Sequence, residues 1–373
     1  MRPVQTLAFA QKTITPSRGE STEISGGLVK RITLNTYGTF DTGATPSTNK
    51  AGAVALLGDI KLTQDGSVVA SALAFDWYQA FEVFLGGATD QVDTETASST
   101  GLNIAGTLDL DFGRVMKGAG LDASGQHRVG YRVESLPASS YTTNGVTYSL
   151  RLDATIEHDG GVASGPYLLP RTQYKVVDAG AASPALYDEF TAPSDGFLLG
   201  VQIRTRDASA ILRAQGVDGL LKRLKVKHVA TDGTGTSELF DGTWRQVRNM
   251  TRARWRVPSS KITGLGVIDD GLEAGLAIFP TFDPTAPSGA MRMRKNEKIQ
   301  IYMDTTSTVE NGYTSVTPAA GDQIFLTFHY FAPVGSGSAD RAQRGVAPTA
   351  ALNQRAAVAA INGGRRGRRA GGR

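Results

Sequence analysis

The 373-residue chain contains no cysteine, which excludes disulfides, zinc–thiolate sites and thiol catalysis together. No run of 18 uninterrupted apolar residues occurs, so the sequence carries no signal for a membrane-spanning helix. The leading segment, MRPVQTLAFAQKTITPSRG, lacks the apolar core of a signal peptide, and synthesis inside the cell is the expectation. Helical periodicity is scarce. Charge is moderate, at 20%, whereas glycine is abundant, at 44 residues. That balance suits a turn-rich β protein better than a coiled coil or a disordered chain. A chain of this length buries about three-quarters of its unfolded surface and needs no staples.

What the chain does have is period-two alternation, the mark of strands with one dry and one wet face. In VTYSLRLDATIE (146–157), Val146, Tyr148, Leu150, Leu152, Ala154 and Ile156 alternate with polar residues. LNIAGTLDLDF (102–112), KIQIYM (298–303) and QIFLTFHYF (323–331) behave likewise, and Gly, Pro, Asp and Ser clusters separate them as turns require. Two helices are expected. FDWYQAFEVFLGG (75–87) has Asp76 to cap its first turn and Gly86-Gly87 to end its last. FDGTWRQVRNM (240–250) is shorter and holds Gly242 inside.

Several of these stretches occur twice, in the same order. GLVKRITLNT (27–36) matches GFLLGVQIRT (196–205), and LLGDIKLTQDG (56–66) matches LLKRLKVKHVATDG (220–233). Phe75-Asp76 with Trp77 and Gln79 matches Phe240-Asp241 with Trp244 and Gln246; the pairs of Trp and Gln are read as anchors that pack each copy. AGTLDLDF (105–112) matches AGLAIFPTF (274–282), and the closing strands pair as well. The offsets run from 164 to 176, far beyond the 20–50 residues of solenoid and propeller units. The chain therefore reads as all-β, two copies of one domain-sized fold over 1–165 and 166–335, followed by a tail over 336–373. About 165 residues per copy is long for a bare immunoglobulin-type sandwich and comfortable for an eight-stranded jelly roll with long loops.

The order of a strand like GLVKRITLNT, then LLGDIKLTQDG, then the aromatic FDWYQAFEVFLGG, all repeated, resembles the double jelly-roll major capsid proteins of tailless icosahedral viruses, the tectivirus and adenovirus lineage. The likeness covers about residues 27–331 and rests on pattern and duplication. In both copies Asp stands where the family more often has Asn before the turn glycine, and the second copy of the turn carries three extra residues. The resemblance implies a structural protein of the virion, made in the host cytoplasm, with a bacteriophage as the source. It implies homotrimers of pseudo-hexagonal outline that contact neighbouring capsomers, penton proteins and minor capsid proteins. It also implies that long segments such as 89–99, 158–167 and 304–321 form outward towers and subunit contacts, with no cofactor.

The net charge of +4 is unevenly placed. Arg355, Arg365, Arg366, Arg368, Arg369 and Arg373 lie in a final segment without acidic residues; taking those six from +4 leaves the rest at −2. NQRAAVAAINGGRRGRRAGGR has no periodic apolar face. Its arginines suit phosphate, either on an internal membrane's headgroups, at about 1 kcal/mol each, or on the genome, with steep salt dependence.

Sharper chemistry finds little support. Asp41 begins Asp-Thr-Gly-Ala, the string of aspartic proteases, but no second copy supplies the partner carboxylate. His127, His158, His228 and His329 make no His-x-His pair, and Asp109 and Asp111 read as a solvated strand face. No catalytic, cofactor or metal residue is assigned. The rival readings are a tandem jelly-roll glycan-directed hydrolase, with Trp77, Trp244 and Trp255 between its barrels, and a phage tail or carbohydrate-binding structural protein.

Overall fold

The structure is a computed structural model. It describes residues 3–14, 19–24, 26–40, 52–86, 102–124, 128–136, 148–159, 167–180, 186–208, 216–231, 233, 235–257, 261–262, 268–269, 272–281, 290–308, 313 and 316–333.

The first half runs β1 (Pro3–Ile14), β2 (Gly19–Ile24), β3 (Leu28–Phe40), β4 (Leu57–Gln64), β5 (Ser67–Leu73), α1 (Ala74–Phe84), β6 (Leu102–Asp111), α2 (Phe112–Val115), β7 (Leu121–Asp122), β8 (Val129–Ser135) and β9 (Tyr148–Asp159). A 3-10 turn over Gly52–Leu56 precedes β4. The second half runs β10 (Leu168–Asp178), β11 (Leu186–Thr191), β12 (Gly196–Arg206), β13 (Arg223–Val229), β14 (Thr236–Thr243), α3 (Trp244–Trp255), β15 (Lys261–Ile262), β16 (Ile268–Asp269), β17 (Leu276–Pro280), β18 (Met291–Met293), β19 (Lys298–Asp304) and β20 (Gln323–Pro333).

Strand order is the same in both halves. The first half pairs β1-β9-β3-β6 in one sheet and β2-β8-β4-β5 in the other; the second pairs β10-β20-β12-β17 and β11-β19-β13-β14. In each half one short strand, β7 or β18, pairs additionally with the third member of its sheet. A helix follows the fourth strand of the second sheet each time. Each half is thus a two-sheet sandwich of eight principal strands, and their correspondence is the duplication that the repeated stretches announced.

Alternation builds the cores. In β9 Leu150, Leu152, Ala154 and Ile156 are buried and face Ile32 and Leu34 of β3 and Leu108 and Leu110 of β6. The second core gathers Val201 and Ile203, Leu224 and Val226, Ile299 and Ile301, and Leu326 and Phe328. The β4–β5 hairpin turns on Asp65 (φ 52°) and Gly66 (φ 78°), the two positive φ values of a type I′ turn, which is why the sequence places Asp-Gly there.

The helices depart from their expected limits. α1 begins at Ala74 on Leu73, which offers no side-chain cap, because Asp76 is turned to a partner in the other sandwich. α3 begins at Trp244 and not at Phe240: Phe240, Asp241 and Gly242 belong to β14. Thr243 caps α3 reciprocally with Gln246, the capping box that stabilises an N-terminus. Trp77 therefore sits one turn into its helix while Trp244 opens its own, so the two Trp-x-Gln stretches are displaced by a turn.

Candidate functional site

The most elaborate chemistry in the described residues lies where the two sandwiches meet. In the first sandwich, β3, β6 and β9 keep a wet outer face. Their counterparts β12, β17 and β20 are buried almost throughout, the pattern of strands covered on both faces. The cover is α1. Eight of its positions from Ala74 to Phe81 are buried without a break, since one side packs on its own sandwich and the other on the outer face of β12, β17 and β20. Ala80 and Val83 join Leu276, Ile278, Trp255 and Val257 in one apolar cluster.

Polar groups inside this seam are paired across it. Arg204 Nε donates to Asp76 Oδ1 at 2.6 Å, with both side chains 1% exposed. The guanidinium also lies 4.1 Å from the Phe325 ring centroid, a cation–π contact strengthened by desolvation. Beside it, Gln202 Nε2 donates to the Asp76 carbonyl at 3.0 Å, and Gln202 Oε1 lies 3.1 Å from His329 Nε2. Burial drives the His329 pKa down to about 3, so the ring is neutral and its Nε2–H donates to Gln202. Trp77 and Phe84 hold the ring edge-on at 5.8 and 5.0 Å. At the margin Ser71 and Thr172 exchange two hydrogen bonds of 2.7 Å between β5 and β10.

The anchor residues fall in different settings. Trp77 is buried, donates weakly to the Ile60 carbonyl at 3.4 Å, and packs on Phe81 and Phe112. Gln79 is buried with neither amide atom partnered among the described residues. Trp244 is buried and donates to Asp218 Oδ1 at 3.0 Å; that oxygen also accepts from Arg248 and from the Gly275 amide. Gln246 is exposed and serves the cap. The structure therefore brings Trp77 to the seam, against His329, buries Gln79 on the same helix, and leaves Trp244 and Gln246 in the second sandwich's own packing and cap. Arg355, Arg365, Arg366, Arg368, Arg369 and Arg373 lie outside the described residues, as do Asp41, His127 and segment 89–99.

The remaining candidates resolve into local chemistry. Asp109 takes a two-pronged contact from Arg31 at 2.6 and 2.5 Å and the Thr33 hydroxyl at 3.0 Å. Asp111 caps the single-turn α2 through the Arg114 amide, and burial raises its pKa. His228 faces Glu297 at 3.3 Å. A shallow groove of about 350 Å³ on the outer face of β13 and β19 is lined by Arg223, Lys225, Lys227, Asp241, Tyr302 and Asp304. Its cations are already engaged: Arg223 and Lys225 pair with Asp241, and Lys227 lies 5.1 Å from the Tyr302 ring. Trp77, Trp244 and Trp255 are all buried and line no part of it.

Neither a protein-family model nor a curated protein sequence matches the chain. Solved structures do. The atomic structure of Sulfolobus Turreted Icosahedral Virus aligns with a TM-score of 0.64 at 10% identity, covering 97% of this chain and 99% of the other. The crystal structure of the STIV MCP gives 0.61 at 10%, covering 89% and 97%. A quasi-atomic model of the PBCV-1 virus capsid gives 0.59 at 12%, covering 89% and 94%. The chain is a double jelly roll. At 10–12% identity the likeness is one of fold, and in this chain the two sandwiches are joined by pairs that include Asp76–Arg204 and Gln202–His329.

Proposed function

We propose that this double jelly roll is a major capsid protein, a structural component and not an enzyme, of which three copies form a pseudo-hexagonal capsomer that tiles an icosahedral shell. The observation that carries the reading is the full-length fit of both sandwiches to the turreted-virus structure. The seam supports it: two sandwiches of one plan are fixed side by side by a buried ion pair and a shared helix, so the chain behaves as one rigid two-part tile. Three such tiles offer six similar sides while only a trimer has to assemble.

In this reading 1–165 and 166–335 are the two tile halves, and 336–373 is a basic arm. Its arginines contact phosphate on the inner side of the shell, on the genome or on lipid. Penton and minor capsid proteins meet the capsomer at its outer loops. The protein is made in the host cytoplasm and ends in the virion. Electron microscopy of the purified full chain tests the assignment: three-chain particles with a six-lobed outline are expected, and a stable single-chain species would overturn it.

A further inference from the structure

Two tyrosines lie on the outer face of the sheet β11-β19-β13-β14. Tyr187 and Tyr302 are register partners, their ring centroids 5.0 Å apart, and Tyr187 is 43% exposed. The row continues across the sheet with Lys225 and Asp241. The next row sets Glu189, Gln300, Lys227 and Glu238 side by side. The groove of about 350 Å³ runs along this platform, with Tyr302 in its wall.

The duplicated plan supplies a comparison within the chain. In the matched strands of the first sandwich, Lys61 pairs with Arg132 and Arg132 with Ser21. Ser21 and Arg132 therefore occupy the places of Tyr187 and Tyr302, and Gly130 stands where Gln300 does. The sandwich is complete without aromatic rings on that face. Nor do outward rings serve the second core, which Ile299, Ile301 and Met303 fill from the other side of β19.

The polar groups around the rings are already held in place. The Tyr187 hydroxyl donates to Glu189 at 2.5 Å, that of Tyr302 to Gln300 at 3.3 Å, and Lys298 to Glu189 at 2.7 Å. Asp241 accepts from Arg223 at 2.7 Å and from Lys225 at 3.3 Å. These pairs select the charge of a ligand. The groove wall sets three cations against two carboxylates, so an anion gains little and has to break the bonds to Asp241. A hydroxyl breaks none. It accepts from a spare ammonium or guanidinium proton and donates to a spare carboxylate lone pair, and both bonds are charge-assisted. A pyranose brings such hydroxyls in neighbouring pairs, together with a face of C–H bonds that covers an aromatic ring as water leaves both.

We propose that this groove binds a neutral sugar, a hexopyranose unit of a polysaccharide. Its C–H face lies on Tyr302, and its hydroxyls meet Asp241, Lys225 and Arg223. A groove this open covers one side of one ring, so a single sugar is held with a Kd of about 1 mM. The groove is complete in one chain, so the binding does not depend on the capsomer reading. In that reading many copies on one particle turn weak contacts into firm attachment.

Saturation-transfer NMR on the full chain is the test, with the methyl glycosides of glucose, galactose, mannose and N-acetylglucosamine, each at about 5 mM. At least one is expected to receive saturation, strongest on the protons of one ring face and unchanged from about 0.05 to 1 M salt. Tyr187→Ser with Tyr302→Arg writes the first sandwich's residues into the second. That chain is expected to lose the signal and keep its melting temperature. Asp241→Asn is expected to weaken binding about ten-fold, and Lys61→Ala, on the counterpart face, to leave it unchanged. Saturation of none of the four sugars, binding that survives the tyrosine changes, or a preference for a heparin oligosaccharide that fades with salt each overturns the site.

Discussion

Asp76 and Arg204 stand 128 positions apart in sequence and 2.6 Å apart in space, each 1% exposed. They join a helix of one sandwich to a central strand of the other. Removing one partner of such a pair leaves a bare charge in a dry seam, at a cost of about 3–5 kcal/mol. Asp76→Ala and Arg204→Ala should each lose about that much in denaturant unfolding. The double change to Asp76→Leu and Arg204→Met should recover most of it, because a packed apolar pair often matches a buried ion pair. A recovery below about 1 kcal/mol would show that the seam depends on the charges themselves.

His329 gives the seam a pH dependence of definite sign. Its folded pKa of about 3 lies below the ordinary value of 6.5, so below 6.5 the unfolded chain takes up a proton that the folded chain refuses. The contribution of a neutral His329 is complete above pH 6.5 and declines by about 1.4 kcal/mol per pH unit as pH falls toward 3. His329→Gln removes that slope. Comparing the two chains by urea unfolding at pH 6.5 and 5, the wild type should lose about 2 kcal/mol more than the variant. Equal losses would mean that the ring is already accessible to protons.

Gln79 presents the opposite case, a buried amide without a partner among the described residues. Burying an amide unpaired costs about 1–3 kcal/mol. Gln79→Met, similar in volume and apolar, should therefore raise stability by about 1 kcal/mol or more, read as a higher midpoint in thermal unfolding. A lower midpoint would reveal a partner for the amide in the assembled particle or in the segments not described.

In the second sandwich Asp218 holds Trp244, Arg248 and the Gly275 amide on one carboxylate oxygen. Arg248 is 2% exposed, so Asp218→Ala should cost about 3–5 kcal/mol. Trp244→Phe, which loses one hydrogen bond and part of the ring, should cost less. The order of the two effects in denaturant unfolding is the check.

The proposed phosphate role of the C-terminal arginines makes a separate prediction. Deleting 363–373 removes Arg365, Arg366, Arg368, Arg369 and Arg373 and should leave trimers unchanged in sedimentation while particles incorporate less genome or membrane. Normally filled particles from the shortened chain would remove the phosphate role.

The strands were legible because alternation is a property of neighbours: Leu150, Leu152, Ala154 and Ile156 show it alone, and so do the turns on Asp65-Gly66. The helices were half legible. The helical reading of 240–250 takes in Gly242, whereas a glycine before Thr243 more naturally ends a strand, and the Thr243–Gln246 capping spacing marks where α3 starts. The seam is not legible in the sequence, because its partners are far apart in the chain and nothing local joins Asp76 to Arg204. One trace did exist. AFDWYQAF sets a carboxylate in an apolar helix and LLGVQIRT sets Gln202 and Arg204 in an apolar strand, and charges written into such surroundings need each other.

Because α1 both finishes one sandwich and covers the next, the halves mature in sequence. A ribosome delivers α1 well before β12, β17 and β20, whose outer faces stay greasy until α1 lies on them. The leading half thus offers a template to the trailing one, sheltering the surface most prone to clump as soon as it emerges.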